Sequence, residues 1–258
     1  MRSPCPGMPA SIQPGDPEQV RDLFDRIAPA YDSLNDLLSL GLHRIWKRQA
    51  VAWLEPQAGQ CVLDLCCGTG DLALVVAEKV RPAGLVLGID AAAAPLERAR
   101  ERARSQPWLP VEFRQGNAAA TGLADASADA AVMAYGLRNL PDPAAGLQEL
   151  RRLLRPGGRA AVLDFNRPAE PQGSIAAFQR FYLRRLVVPL ARRAGLEDQY
   201  AYLERSLERF PTGAQQEELA VAAGLSPAVL KKRLVAGRRA KERMVAANLR
   251  LVVSVAKK

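Results

Sequence analysis

Residues 61–71 read Cys61-Val-Leu-Asp-Leu-Cys-Cys-Gly-Thr-Gly-Asp71, and an apolar segment follows from residue 72 to residue 80. The first five residues predict a buried strand, the Gly-Thr-Gly step predicts a tight turn, and the apolar segment predicts a helix. A second predicted strand, residues 85–89, leads into the acid Asp90. Glycines let a ligand approach the backbone closely, and an acid at this strand tip can bind ribose hydroxyls. The stretch therefore predicts an α/β fold with a nucleotide site.

Strands and helices alternate along the rest of the chain. We predict strands near 61–65, 85–89, 111–115, 129–134 and 159–165, and helices over 71–80, 94–104 and 143–154. This alternation is typical of a Rossmann-like, mostly parallel sheet with helices on both faces, which binds ligands beyond the carboxyl ends of its strands. Polar residues fall at four such ends: Asp64 to Gly70, Asp90, Asn117, and Tyr135 to Asn139. We therefore expect these residues to form one site.

The glycine turn alone does not identify the nucleotide. Residues 68–73 also satisfy the looser Gly-x-Gly-x-x-Ala dinucleotide fingerprint, so an NAD-dependent oxidoreductase stays an alternative. Two features favour S-adenosylmethionine. Asp64 comes just before the glycines, and Gly116-Asn117-Ala118 follows the third strand, where a polar side chain can reach an adenine edge.

Composition and charge divide the chain into three parts. The proline-rich residues 1–16 predict a disordered leader, and 17–225 have the size of one α/β domain. The net charge of +9 comes from residues 226–258, which hold ten Lys or Arg and one acid. The charge of the main body is balanced, so we expect no specific nucleic acid partner. The four cysteines lack metal-ligand spacing, which indicates reduced thiols in a cytoplasmic protein without a metal.

Two segments leave alternatives open. Residues 174–195 form an apolar stretch flanked by arginines, which fits a core helix, a wall over an apolar substrate or a helix at a membrane surface. Peripheral membrane contact is therefore one alternative to a purely cytoplasmic location. His43 is more typical of a structural histidine, but it is retained as a candidate base.

Four motifs resemble the quinone C-methyltransferase family of ubiquinone, menaquinone and phylloquinone biosynthesis. They are Leu23-Phe-Asp-Arg-Ile-Ala-Pro-Ala-Tyr-Asp32, Asn35-Asp-Leu-Leu-Ser-Leu-Gly-Leu-His-Arg-Ile-Trp-Lys-Arg48, Leu63-Asp-Leu-Cys-Cys-Gly-Thr-Gly-Asp71 and Tyr135-Gly-Leu-Arg-Asn139. Three further stretches, at 164–168, 187–189 and 209–213, look most like the cyanobacterial branch, which methylates a phytyl naphthoquinol. The resemblance runs from about residue 18 to 225. One departure is Cys66, where many methyltransferases carry a glycine.

The resemblance implies a role for each candidate residue, with S-adenosylmethionine as cofactor and a prenylated quinol as substrate. The implied cofactor residues are Asp64, Gly68, Thr69, Gly70, Asp90, Asn117, Ala118 and Tyr135, and the implied catalytic residues are Arg138, Asn139, His43 and Tyr31. Arg138 is expected to stabilise a phenolate. Tyr31 and His43 are expected to line the acceptor pocket.

Residues 226–258 depart from the family. They resemble a fragment of a primary sigma factor, and the family's two closing strands are expected to be replaced by a basic, mostly helical tail over 227–256. Residues 249–255 are rich in β-branched residues and could also pair as a final strand, but the basic residues favour a solvated helix. The alternative function is accordingly an inactive methyltransferase remnant whose tail binds RNA polymerase. The expected fold is thus a Rossmann-like methyltransferase domain with an open sheet edge.

Overall fold

The computed structural model describes residues 12–27, 42–164, 197–229 and 252–256. Its helices are α1 (Pro17–Ile27), α2 (Leu42–Leu54), α3 (Asp71–Val80), α4 (Ala93–Arg104), α5 (Pro143–Leu153), α6 (Glu197–Arg209) and α7 (Gly213–Ala222), with a 3-10 turn at Leu137–Asn139. Its strands are β1 (Cys61–Leu65), β2 (Leu85–Asp90), β3 (Val111–Gln115), β4 (Ala128–Ala134), β5 (Leu154–Leu163), β6 (Ser226–Val229) and β7 (Val252–Ala256).

The strands form one sheet in the order β3-β2-β1-β4-β5-β7-β6. Strands β1 to β5 pair in parallel, and β7 runs antiparallel to both β5 and β6. The predicted α/β class with a mostly parallel sheet is confirmed. The chain proceeds outward from β1 through β2 to β3, and it then returns to the other side of β1 to form β4. The strand order therefore reverses between β1 and β4. This topological switch point is where open α/β sheets bind ligands.

Alternating side chains of the central strands enter two separate hydrophobic cores. Val62 and Val132 face the core beneath α2 and α3, whereas Leu63 and Met133 face the core that α5 and α7 cover. Successive residues of a strand point to opposite faces, so a strand that is apolar at every position must be covered on both sides. The continuous apolar runs of these strands follow from this arrangement.

Strand β5 begins five residues earlier than the predicted 159–165. Ala128 pairs with Leu154 and Ala130 pairs with Arg159, so residues 155–158 leave the regular register. Gly157 lies within this excursion and has a φ of +77°, a conformation that glycine adopts without strain. Residues 155–158 therefore form an irregularity inside the strand.

Helix α1 starts with a polar cap and an ordered segment before it. Asp16 Oδ1 accepts hydrogen bonds from the backbone N–H groups of Glu18 and Gln19, both at 3.0 Å. Pro17 occupies the first helical position, where a missing N–H costs nothing. Ile12 is buried in a cluster with side chains of α1 and α6. The predicted disordered leader therefore does not extend to residues 12–16, and residues 1–11 lie outside the described residues.

The prediction that a helix covers most of 227–256 is wrong at both described ends of that segment. Residues 226–229 and 252–256 are strands, and β7 lies between β5 and β6. The β-branched run in residues 252–256 fits a strand, and pairing with the exposed edge of β5 outweighs the local helical pattern. The closing strands are thus present, and the expected open edge at β5 is occupied. The sigma-like origin of the segment stays a prediction.

Pairing of β7 with strands on both sides makes Ser254 a sensitive position, since it aligns with Ala161 of β5 and Ala228 of β6. We expect Ser254→Pro to lower the free energy of unfolding by roughly 1–3 kcal/mol, because it removes a backbone donor from a strand paired on both sides. Ser254→Thr, which suits a strand, should cost far less. Urea unfolding of both variants tests this. Equal stability of the proline variant and the wild type would show that 252–256 is dispensable to the sheet.

Candidate functional site

A cavity of about 470 Å³ lies at the carboxyl ends of the parallel strands. Four segments that follow strands line it, and helix α1 closes it from the side. Its lining includes Cys66, Gly68, Asp90, Asn117, Ala118, Tyr135 and Asn139 from the strand ends, and Pro17, Val20, Arg21 and Phe24 from α1. Ligand sites of small molecules have volumes of this order. The switch point of the sheet and the cavity therefore coincide.

Asp90 joins two of these segments. Its Oδ2 accepts a hydrogen bond from the Gly68 N–H at 2.8 Å, and its Oδ1 accepts one from the Ala92 N–H at 2.9 Å. Burial raises the pKa of Asp90, while these backbone donors favour the ionised form and lower it. Each carboxylate oxygen has a second lone pair, so the fixed carboxylate can still accept hydrogen bonds from a pair of hydroxyl groups in the cavity.

The glycine turn leaves open space beside its backbone. A Cβ added at Gly68, where φ is +54°, would meet no atom within 4 Å, and Gly68 lines the cavity. At Gly70, where φ is +80°, a Cβ would lie 2.8 Å from Phe113. The first glycine therefore gives a ligand access to the backbone, whereas the second allows close packing of the turn against the sheet.

An ion cluster behind the turn holds it in place. The Lys47 ammonium lies 2.8 Å from one oxygen of Asp71, and the Arg102 guanidinium lies 2.6 Å from the other. Arg102 also donates to the carbonyl of Thr69 at 2.9 Å. Burial opposes ionisation of Asp71, but the two cations outweigh it and lower its pKa to about 2. Thr69 and Gly70 thus belong to the support of the turn and do not line the cavity.

Asp64 is almost completely buried at the end of β1 and does not line the cavity. Burial raises its pKa to about 8, although the charge of Lys47 opposes that shift. A carboxyl group whose pKa rises on folding stabilises the folded state at low pH and loses that contribution as the pH rises through the folded-state pKa. The stabilisation by Asp64 should therefore disappear between its ordinary pKa of 3.8 and about pH 8.

We accordingly predict that Asp64→Asn becomes more favourable with rising pH, since the amide stays neutral. The difference in free energy of unfolding, variant minus wild type, should increase by at least about 1 kcal/mol between about pH 5 and about pH 8.5. Urea unfolding across this range measures it, and any constant cost of altered packing cancels in the comparison. A difference that stays constant with pH would show that Asp64 is ionised throughout.

Asn117 and Ala118 form a turn beyond β3. The Asn117 Oδ1 accepts a hydrogen bond from the Ala119 N–H at 2.9 Å, so one side of the amide supports its own turn. The Gly116 N–H donates to the Asp90 carbonyl at 2.9 Å, which ties this turn to the tip of β2. Both Asn117 and Ala118 line the cavity. The structure therefore brings the predicted adenine-side and ribose-side residues together.

Residues 135–139 follow β4 and form the opposite wall. Tyr135 is buried with a φ of +58°, and its carbonyl accepts hydrogen bonds from the Asn139 Nδ2 at 2.9 Å and from Arg138 at 3.0 Å. The Tyr202 hydroxyl donates to the Asn139 Oδ1 at 2.9 Å. Both ends of the Asn139 amide thus have partners, which fixes the orientation of a side chain that lines the cavity.

Arg138 is buried beneath this wall and forms an ion pair with Asp164 at 2.7 Å. Asp164 also accepts a hydrogen bond from the Arg138 backbone N–H at 3.1 Å. Arg138 does not line the cavity. A buried guanidinium whose charge is balanced by a carboxylate exerts a weaker field at a distance than an isolated one. The geometry therefore favours a supporting role, and direct stabilisation of a phenolate stays a prediction.

Of the other two predicted catalytic residues, His43 alone belongs to the described part of the chain. His43 is buried on α2 and is absent from the cavity lining. Tyr31 lies outside the described residues, as does the whole of segment 174–195. Sequence reasoning missed Phe24, Asp25 and Tyr202, which connect α1 to the rest of the site. Phe24 and Asp25 lie in the quoted motif at 23–32, whereas no pattern identified Tyr202.

Cys66 occupies a position that suits glycine, since its φ is +57°. Its side chain lines the cavity and packs against Gly136. A Cβ added at Gly136 would lie 2.5 Å from the Cβ of Cys66 and 2.7 Å from its Sγ. Gly136 has an ordinary φ of −98°, so a side chain there is opposed by packing and not by the backbone; Cys66 is the nearest obstruction, and the Met133 Cγ would lie 3.1 Å away. The two positions are therefore coupled by direct contact.

We predict that Gly136→Ala destabilises the protein by about 1–3 kcal/mol through overpacking against Cys66. Cys66→Gly removes the two nearest obstructing atoms and leaves the more distant Met133 contact, so the double variant should recover at least about 1 kcal/mol of that loss. Cys66→Ala is the matched control, since it keeps the Cβ and should recover less. Denaturant unfolding of the set measures the coupling. Additive effects of the two substitutions would contradict it.

Comparison with known proteins adds an independent line of observation. The model of the ubiE/COQ5 methyltransferase family matches residues 13–243. The chain is 48% identical over 211 residues to 2-phytyl-1,4-naphtoquinone methyltransferase of Trichormus variabilis, covering 81% of this chain and 91% of that one. It is 44% identical over 213 residues to the chloroplastic 2-phytyl-1,4-beta-naphthoquinone methyltransferase of Arabidopsis thaliana, covering 81% and 80%.

The crystal structure of a SAM dependent methyltransferase from Aquifex aeolicus has the same fold. The TM-score is 0.56 at 17% sequence identity, and the superposition covers 94% of this chain and 99% of that one. The family match also extends to residue 243, beyond residue 225, where the motifs predicted the resemblance to end. This extension agrees with the presence of strand β6.

Proposed function

Because the chain belongs to the ubiE/COQ5 methyltransferase family, we propose that it methylates a ring carbon of a prenylated naphthoquinol, 2-phytyl-1,4-naphthoquinone in its reduced form. The chain is a methyltransferase, and its methyl donor is S-adenosylmethionine. The substrate proposal is supported by the 48% identity over 91% of the Trichormus enzyme. The reaction belongs to phylloquinone or menaquinone biosynthesis.

The residues around the cavity fit the methyl donor. The space beside Gly68 admits a ligand against the backbone, and the Asp90 carboxylate is held so that it can accept hydrogen bonds from ribose hydroxyls. Asn117 and Ala118 line the cavity and are proposed to contact the adenine, and Tyr135 and Asn139 are proposed to form the wall toward the acceptor. When bound, S-adenosylmethionine supplies a methyl group on a positively charged sulfur, which an electron-rich carbon can attack.

The protein contributes to the reaction by positioning the acceptor ring beside the methyl donor and by excluding water from the site. A reduced ring is a better nucleophile than a quinone, because loss of a phenolic proton increases the electron density on the ring carbon. Tyr135 and Asn139 are held rigidly by Arg138 and Tyr202, so the wall beside the acceptor keeps its shape. A fixed geometry of the reacting groups can lower the barrier to a displacement of this kind by several kcal/mol.

Arg138 is proposed to act through this wall. Its guanidinium lies 6.0 Å from the centre of the Tyr135 ring and donates to the Tyr135 carbonyl, while Asp164 balances its charge. The proposed roles of Asp64, Thr69 and Gly70 are likewise supporting ones, beneath the turn that carries Gly68. The roles of His43 and Tyr31 in lining the acceptor pocket stay proposals.

The apolar character of the acceptor bears on the cellular location of the protein. A phytyl chain is strongly apolar, so we propose that the protein is cytoplasmic and meets its substrate by peripheral contact with a membrane. Among the described residues, no helix has the length and apolar character needed to cross a bilayer. The seven-stranded sheet and the cavity lined by four strand ends favour an enzyme over the alternative of an inactive remnant.

The proposal is tested by incubating the purified protein with S-adenosylmethionine and 2-phytyl-1,4-naphthoquinone under reducing conditions. Mass spectrometry should detect a product that is heavier by one CH2 unit. The oxidised quinone and a naphthoquinol without a prenyl chain serve as comparison substrates and should react far more slowly. Absence of product from every reduced substrate would contradict the proposed function.

Asp90→Ala should weaken S-adenosylmethionine binding by roughly 10- to 100-fold, since it removes charge-assisted hydrogen bonds worth about 1.5–3 kcal/mol. Asp129→Ala is a matched control, because Asp129 also accepts a backbone N–H, from Cys61 at 2.8 Å, but lies at the opposite end of the sheet. Isothermal titration calorimetry measures both affinities. Equal affinities of Asp90→Ala and the wild type would remove Asp90 from the site.

A further inference from the structure

Helix α4 begins without a cap of its own. Ala92 is its N-cap residue and has no side-chain acceptor to offer. The first N–H groups of a helix need acceptors from outside the helix, and Ser, Thr, Asp or Asn at the N-cap usually supplies one. Here the Ala94 N–H donates to Asp25 Oδ1 at 2.7 Å, from a residue 69 positions earlier in the chain. The capping acceptor therefore comes from another helix.

Asp25 belongs to α1, the helix that closes the side of the cavity. Pro17, Val20, Arg21 and Phe24 of this helix line the cavity. The bond from Ala94 to Asp25 therefore joins the wall of the cavity to the helix that follows β2. A displacement of α1 would break this bond and leave the start of α4 without its distant acceptor.

The other side of α1 is held by apolar contacts. Val20 and Leu23 are buried in a cluster with Ile12 and Tyr202, and the rings of Phe24 and Tyr202 meet edge to face at 6.5 Å between centroids. Apolar packing has little directional preference, so it allows a helix to slide or rotate more readily than a short hydrogen bond does. The bond from Asp25 therefore supplies a directional constraint on the position of α1.

The same helix start also carries the predicted ribose ligand. The Ala92 N–H donates to Asp90 and the Ala94 N–H donates to Asp25, so two carboxylates satisfy neighbouring donors of one helix terminus. One carboxylate faces the cavity and the other holds its closing helix. The position of α1 and the orientation of the turn at residues 90–92 are thus fixed by the same structural element.

We infer that Asp25 is a positioning residue for binding of S-adenosylmethionine: by capping α4, it holds α1 over the cavity and steadies the turn that carries Asp90. The inference rests on the proposed role of this cavity as the cofactor site. Asp25 itself is not required to touch the cofactor. Its effect is exerted through the placement of α1 and of the start of α4.

The test compares Asp25→Ala with Asp25→Asn. Asparagine caps helices as well as aspartate does, so it should preserve the bond, whereas alanine removes it. We expect Asp25→Ala to weaken S-adenosylmethionine binding by roughly 3- to 30-fold, the fold-change that corresponds to loss of a helix cap, and Asp25→Asn to restore most of it. In the free protein, amide hydrogen exchange of residues 17–27 and of Ala94 should accelerate in the alanine variant only.

Thr212→Ala provides the matched control. Thr212 caps α7 through a capping box with Gln215, away from the cavity. Its loss should lower the melting temperature without changing cofactor affinity. If Asp25→Ala does not fold, Asp25→Ser takes its place, since serine keeps an oxygen but has a shorter reach.

Three results would overturn the inference: unchanged affinity in Asp25→Ala, failure of asparagine to restore affinity, or unchanged exchange in α1. The Asp90→Ala variant separates this inference from the proposed site. Loss of affinity in Asp90→Ala together with wild-type affinity in Asp25→Ala would reject the positioning role alone. Wild-type affinity in both would reject the positioning role of Asp25 and would also remove Asp90 from the cofactor site.

Discussion

The carboxylate of Asp90 is the constraint on which the rest of the site depends. It accepts hydrogen bonds from Gly68 in the turn after β1 and from Ala92 at the start of α4, and it leaves lone pairs for a ligand. One half-buried side chain thereby links two adjacent strand ends. Because burial of an uncompensated carboxylate is costly, the two backbone donors must stay in place when the cavity is empty. The site is therefore organised before a ligand arrives.

Supporting charges stand behind this carboxylate and are absent from the cavity lining. Lys47 and Arg102 hold Asp71 beneath the glycine turn, and Arg138 pairs with Asp164 beneath the Tyr135 wall. The Arg138–Asp164 pair is removed from water, so breaking it would leave a poorly solvated charge, whereas Arg102 in the first group stays partly exposed. A sequence motif contains supporting residues of this kind next to residues that line the cavity, because the site needs both. Membership of a motif therefore does not distinguish a contact from a support.

The strand-helix alternation and the strand ends could be predicted because each depends on local pattern. Gly68, Asp90, Asn117, Tyr135 and Asn139 all reach the same cavity, as their positions after strands required. The burial of Arg138 could not be predicted, since it depends on Asp164 at the end of β5. The contribution of Tyr202 depends on the docking of α6, which no local pattern encodes. The register shift in β5 likewise depends on its pairing with β4, which no local pattern encodes.

The C-terminal segment shows where local reasoning fails most clearly. Its basic residues and its apolar spacing both fit a helix, yet residues 226–229 and 252–256 pair as strands. A sheet whose last parallel strand is apolar on both faces offers unpaired backbone groups to any compatible segment, and β-branched residues suit that edge. The free energy of closing the sheet therefore selects the conformation, whatever the evolutionary origin of the residues that supply it. An atypical C-terminus is thus compatible with a complete site, because the cavity lies at strands β1 to β4 and the closing strands lie beyond β5.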